Sequence, residues 1–224
     1  MKPVKVGSFA DLHAELQQFM LDKRWVFRGH ADSSWLLRPK AGRRLYSSIT
    51  EQQVFETWKR RAVEYVATPM IDDWDWLAVA QHHGLATRLL DWSFNPLNAA
   101  FFALREEMNC EASIIAVKPR HIVKVEEEKA LKVKMVKLFR PRGVVPRIVR
   151  QGGAFTVHPD PLEELQPSHS DLAGFERILI PAASRSTILA QLAFYGVNSA
   201  TLFPDLDGLS AFLNWSIASG EYFK

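Results

Sequence analysis

The chain has 224 residues, 47% of them hydrophobic, which is enough to bury a full core as a single domain. Seven tryptophans and fourteen phenylalanines exclude a disordered chain, and the lone Cys110 excludes an internal disulfide framework or a cysteine-rich metal site. Lysine and arginine total 28 against 25 acidic residues, and the resulting net charge of +3 permits an anionic ligand without demanding nucleic acid. No apolar run reaches the length of a membrane span, and Lys40, Arg43 and Arg44 break the early sequence too often for a signal peptide. A cytoplasmic protein with no membrane partner is therefore expected.

Residues 8 to 21 carry Phe9, Leu12, Leu16, Phe19 and Met20 at helical spacing, with Ser8 as a candidate cap. Trp25-Val26-Phe27 reads as a short buried strand ended by Gly29, and Ser33 to Leu37 as a turn followed by a second extended piece. A helix capped by Ser48 or Thr50 follows. Its apolar stripe is Val54, Phe55, Trp58, Ala62, Tyr65 and Val66, and Pro69 stops it. Asp72 or Asp73 starts the next helix, which packs Trp76, Leu77, Val79 and Ala80 inward and terminates at Gly84. Leu89-Leu90 reads as a tight extended segment. Asn95-Pro96 then opens a helix to Arg105 that is apolar nearly all round, and so central and buried.

Past Asn109 the texture changes. Ser113 to Val117 is a strand ended by Lys118-Pro119, Val133 to Leu138 suggests another, Pro146 to Val149 another, and Phe175 to Ile180 a further one. Thr187 to Ala193 reads as a helix ending at Gly196, and Leu209 to Trp215 as a last short one. Helices dominate the first half and strands the second. The expected class is α+β, a helical N-terminal half packed on a small mixed or antiparallel sheet, in one domain over residues 1–224 with a basic insertion or hairpin near 124–150.

Three polar clusters stand among these core-like stretches. In the first, Arg28 follows a buried strand and precedes Gly29. It can present a guanidinium fork to a phosphate while Gly29 leaves room for a close ligand, or it can pair with Asp91 and pin two elements together. The second runs from Gln81 to Trp92. His82 and His83 point about 100° apart on a helix, so one lines a cleft while the other caps the helix or bonds a carbonyl. Asp91 is a candidate buried anchor for Arg88 or Arg28, with Ser93 or Asn95 capping the following helix. The third is Arg150 to Thr156, where tandem glycines give turn material and Gln151 offers an amide for a ribose hydroxyl or a base edge. There is no His-Glu-x-x-His, no Walker spacing and no G-x-G-x-x-G, and no metal is expected. Separately, Lys129, Lys132, Lys134, Lys137, Arg140, Arg142, Arg147 and Arg150 form a basic segment. It is either a solvated face or a groove for phosphates, a protein or a nucleic acid.

Phe27-Arg28-Gly29, together with Leu77-Ala78-x-Ala80-Gln81-His82-His83-Gly84-Leu85-x-Thr87-Arg88-Leu89-Leu90-Asp91-Trp92-x-x-Asn95-Pro96-Leu97, closely resembles the FRG domain family. Arg150-Gln151-x-Gly153-x-Phe155-Thr156 fits a later motif of that family, and the likeness covers about residues 5 to 190. Such proteins are bacterial or phage-borne and sometimes neighbour defence or toxin genes. A more distant resemblance is to the ADP-ribosyltransferase fold, which implies a split sheet and NAD as substrate. Carried over, it implies Phe27, Arg28, Gly29, Thr87, Arg88 and Ser93 as the dinucleotide-binding set. It implies Gln151, His82, His83 and Arg28 as the catalytic set, with Gln151 where those enzymes usually have a glutamate, and Asp91 structural. The expected function is cleavage of NAD with transfer or release of ADP-ribose. The alternative is a non-catalytic module of phage–host conflict that recognises a protein or nucleic acid through residues 129–150.

Overall fold

The computed structural model describes residues 3–43, 50–66, 69–143 and 146–220. In chain order the elements are β1 (Val4–Lys5), α1 (Phe9–Leu16), β2 (Val26–His30), α2 (Glu51–Ala62), α3 (Asp73–His82), β3 (Leu89–Ser93), α4 (Pro96–Leu104) and β4 (Ala112–Pro119). There follow β5 (Lys137–Phe139), α5 (Pro146–Arg150), β6 (Gly153–Val157), β7 (Leu172–Ile180), α6 (Arg185–Phe194), α7 (Ser199–Leu202) and α8 (Leu206–Ala218). The class is α+β, with a seven-stranded mixed sheet in the order β1-β7-β4-β2-β3-β6-β5. Only the β1–β7 pair is parallel.

Local chemistry sets most helix starts. Ser8 accepts from the Asp11 amide, Asp72 from those of Trp74 and Asp75, and Asn95 from that of Leu97 just after the opening Pro96. Thr50 and Gln53 form a reciprocal capping box at α2; Ser48, the other expected cap, lies outside the described residues. Gly84 follows α3 at φ +84°, a conformation an L side chain rarely adopts.

Three apolar clusters fill the molecule. Phe27, Ile114 and Ile178 pack beneath α1, α4 and α6. On the opposite sheet face Val26, Leu90, Trp92 and Ile115 meet Leu37 and Leu165. Phe55, Trp74 and Leu77 cover Leu89, Phe155 and Val157. The helix α4 is buried nearly all round and crosses β2 closely: a Cβ on Gly29 would lie 2.1 Å from the Ala99 carbonyl oxygen and 2.4 Å from the Ala103 nitrogen. The space beside Gly29, expected for a ligand, is thus occupied by helix backbone. Gly29 also does not end its strand, since β2 pairs with β4 from Val26 through His30.

Several further expectations change. Pro146 to Arg150 is helical, not extended. The turn that follows returns the Gln151 and Gly152 amides to the Arg147 and Val149 carbonyls, with Gly152 at φ +55°. Ile148 drops into the core between half-buried Arg147 and exposed Val149, which an alternating pattern of apolar residues mimics. Val133 is a core residue outside any strand, and only Lys137–Phe139 joins the sheet. Ser33 to Leu37 form no strand, though Leu37 is buried. Met20 and Tyr65, assigned to apolar stripes, are 73% and 81% exposed, because both helices end before them and tighten into 3-10 turns. No helix among the described residues is long and apolar enough to cross a membrane.

Candidate active site

The strands β2 and β3 share a single register pair, Phe27 with Ser93, whereas each is paired over five residues with its other neighbour. The sheet is therefore divided between them. Arg28 stands at that division, its side chain 20% exposed. Its Nη1 donates to the Asp91 carbonyl at 2.8 Å and lies 3.5 Å from Asp91 Oδ2, while Nε donates to His30 Nε2 at 3.1 Å. That last bond needs a neutral imidazole. Burial, together with Arg28, Arg177 and Arg43 nearby, pushes His30 down to about 3. Burial also lowers the Arg28 guanidinium, against the opposing pull of Asp91.

Asp91 is not a buried anchor. Its carboxylate is 55% exposed and accepts from Gln81 Nε2 at 2.8 Å, while Gln81 Oε1 accepts from the Thr87 hydroxyl at 2.6 Å. A relay thus runs from buried Thr87 through the last turn of α3 to a carboxylate open to solvent. Arg28, Gln81 and Asp91 border a cleft of about 370 Å³, at the small end of the roughly 300–1,000 Å³ usual for small-molecule sites. His82, Trp35, Arg105, Glu106 and Arg147 line it too. His82 is half-buried. Burial, His83 and Arg147 lower its pKa and Asp91 raises it, the sum being downward, so it presents a neutral imidazole at pH 7.

Of the expected site residues, the fold brings Phe27, Arg28, Gly29, His82, Ser93 and Gln151 to this cleft. The others point elsewhere. His83 is exposed and faces the groove along α2. Thr87 is buried, its hydroxyl also accepting from the Leu89 amide. Arg88 lies behind the sheet in an ion pair with Glu51 at 2.8 Å, their side chains only 14% and 8% exposed. Ser93 and Gln151 serve as framework: the Gln151 carbonyl accepts from Ser93 Oγ at 2.6 Å and Asn98 Nδ2 at 3.0 Å. The Gln151 amide donates to the Leu202 carbonyl at 3.2 Å.

Arg105, Glu106, Arg147, Trp35 and Gln81 were not among the expected site residues. Arg105 and Arg147 approach the Phe203 ring from Cζ distances of 5.3 and 4.1 Å, and neither forms a salt bridge among the described residues, although Asp205 and Asp91 act on Arg147 from farther away. In the sequence Arg147 stands out only as one member of the basic segment and Arg105 not at all, since both gain their setting from Phe203, far along the chain. Among the described residues no group of three or more His, Cys, Asp and Glu is placed to hold a metal ion.

The family model of the FRG domain matches residues 23–112, and the chain carries an FRG domain there. The match spans β2, α2, α3, β3 and α4, and so holds Arg28, Gln81, His82 and Asp91, the polar floor of the cleft. Arg147, Gln151 and Phe203 lie beyond it. No curated protein and no solved structure matches the chain.

Proposed function

We propose that the cleft binds NAD and cleaves its N-glycosidic bond, passing ADP-ribose to water or to an acceptor nucleophile. The observation that carries this reading is the pair of guanidiniums, Arg105 and Arg147, that form no salt bridge among the described residues and stand at the edge of a cleft whose floor holds an exposed carboxylate. Two cations with only the longer-range pull of Asp205 and Asp91 on Arg147 favour a ligand with phosphates. The divided sheet and the distant likeness to ADP-ribosyltransferases narrow that ligand to a dinucleotide.

In this reading the roles shift. Gln151 is a framework residue, and Asp91 supplies the negative charge that its amide lacks. The bond between ribose C1′ and the pyridinium nitrogen breaks with its electron pair passing to nitrogen. Asp91, held by Arg28 and Gln81, stabilises the oxocarbenium cation that remains. Neutral His82 accepts the proton from the water or hydroxyl that attacks C1′. Recognition of a macromolecule through residues 129–150 has less to draw on. Lys137 is bound to Glu128 and Arg142 to Asp72 and Asp75, which leaves Lys129, Lys132, Lys134, Arg140 and Arg150 as its exposed cations outside any salt bridge among the described residues.

The test is calorimetric titration of the folded protein with NAD, repeated with Arg147→Ala, and a nicotinamide-release assay on Asp91→Asn. Saturable binding weakened roughly tenfold or more in the first variant is expected, as for loss of one charged hydrogen-bond donor. Release of nicotinamide should fall by a factor of about 100 or more in the second. A folded wild type that does not bind NAD at millimolar concentration would overturn the reading.

A further inference from the structure

Arg105, Glu106 and Arg147 line two spaces at once. On one side is the cleft of Arg28 and Asp91; on the other is a second cavity of about 460 Å³ between α4, α6, α7 and α8. The cleft side is lined by Trp35 as well, 45% exposed. The far side is walled by Phe212 and Trp215, one turn apart on α8, with ring planes 24° apart and centroids at 6.2 Å. Both spaces thus have an aromatic wall and share the two cations.

The second cavity also contains a built polar group. Asn198 is 92% buried by its 8% exposure, and its Oδ1 is used up as the cap of α7, accepting from the Thr201 amide at 3.1 Å. Its Nδ2 has no acceptor among the described residues, and Asn198 is one of the residues that line the cavity. Asp207 borders the same space with a carboxylate outside any ion pair among the described residues, whereas Asp205 is engaged in capping Gly208. A donor amide and an acceptor carboxylate beside two ring faces suit a planar base that carries both a ring-nitrogen acceptor and an exocyclic amine.

We propose that this cavity takes the second, amino-bearing base of a dinucleotide whose phosphates cross between Arg105 and Arg147 and whose reacting end lies at Asp91. The proposal rests on the reading of the cleft given above and extends it by giving the distal base of the dinucleotide a place, between Trp215 and Phe212. The two guanidiniums, near enough for Arg105 to lower the Arg147 pKa, are relieved of mutual repulsion by the phosphates between them.

The experiment compares NAD with nicotinamide mononucleotide by calorimetry, on the wild type and on Trp215→Leu. NAD should bind the wild type roughly 5- to 100-fold more tightly, the range that one stacked base supplies. In Trp215→Leu that advantage should shrink by most of its size while the mononucleotide affinity stays unchanged. Phe212→Leu replaces it if Trp215→Leu does not fold. Equal binding of the two ligands, or an advantage undiminished in the variant, overturns the distal site and leaves the cleft reading standing. Failure of both ligands to bind a folded wild type overturns both.

Discussion

Arg28 and Arg88 look alike in sequence, each beside a strand and each within reach of an acid, yet the fold gives them different work. Arg28 bridges the divided sheet and borders the cleft. Arg88 secures the start of α2: its Nε donates to Glu51 Oε2 at 2.9 Å, its backbone amide to Oε1 at 2.7 Å, and its Nη1 to the Leu131 carbonyl. Removing it leaves a carboxylate 8% exposed without its cation. Arg88→Met is therefore expected to cost about 3 kcal/mol or more of stability, measured by urea unfolding. Arg147→Ala, at a half-buried site where the guanidinium lies over an aromatic face and forms no salt bridge among the described residues, should cost less than about 1 kcal/mol. If Arg88→Met unfolded at the wild-type urea midpoint, the buried pair would not be holding α2 to β3.

Between elements, the contact that most constrains the cleft is α4 on β2. It sets the wall opposite Asp91, and it exists because Gly29 has no side chain. Gly29→Ala must push the helix backbone away, since the obstructing atoms at 2.1 and 2.4 Å belong to main chain that cannot rotate aside. A loss of about 3 kcal/mol or more is expected, at the upper end for overpacking. Gly196→Ala serves as the control, with φ +81° but nothing within 4 Å of the added carbon. It carries only the left-handed strain, roughly 1 kcal/mol. Denaturant midpoints of the two variants separate steric overlap from backbone strain, and equal midpoints would count against the close packing of α4.

Across the whole molecule, two buried histidines tie stability to pH. His158 is 2% exposed and is pushed down to about 3 by burial, with His169 and Arg88 adding to the effect. Its Nε2 is hydrogen-bonded at 2.9 Å to Thr156 Oγ1, which also accepts from the indole of Trp92 at 2.8 Å. His30 is equally buried and also lowered to about 3. Unfolded, each titrates near 6.5, so between about 6.5 and about 3 the unfolded chain binds more protons. Their contribution is complete above 6.5 and is lost as pH falls, by about 1.4 kcal/mol per pH unit for each histidine. Urea unfolding at pH 7.5 and 4.5 should show this loss, and His158→Gln should remove about half of the histidine part of the slope. An unchanged slope in that variant would mean His158 is not held neutral.

The chain order of hydrophobic periods, caps and breakers was enough for α+β, for Ser8 as a helix start, for narrowing the next caps to Ser48 or Thr50, Asp72 or Asp73 and Ser93 or Asn95, and for the burial of α4, because these depend on neighbours within a turn or two. The FRG motif was legible for the same reason: its residues are close in sequence and end on adjoining elements. Which of them face one another was not. Sequence does not distinguish Arg28 from Arg88, or His82 from His83, because the side of a sheet or helix end that meets a cavity is set by packing partners tens of residues away. Asp91 was read as a buried anchor and stands open to solvent because β2 and β3 part after a single register pair, a property of the whole sheet. Arg105 and Arg147 become a pair only through Phe203, and the aromatic cavity beyond them exists only once α8 returns against α6 and α7. Local chemistry decided the elements; long-range packing decided which charges are left without a partner, and so where a ligand can bind.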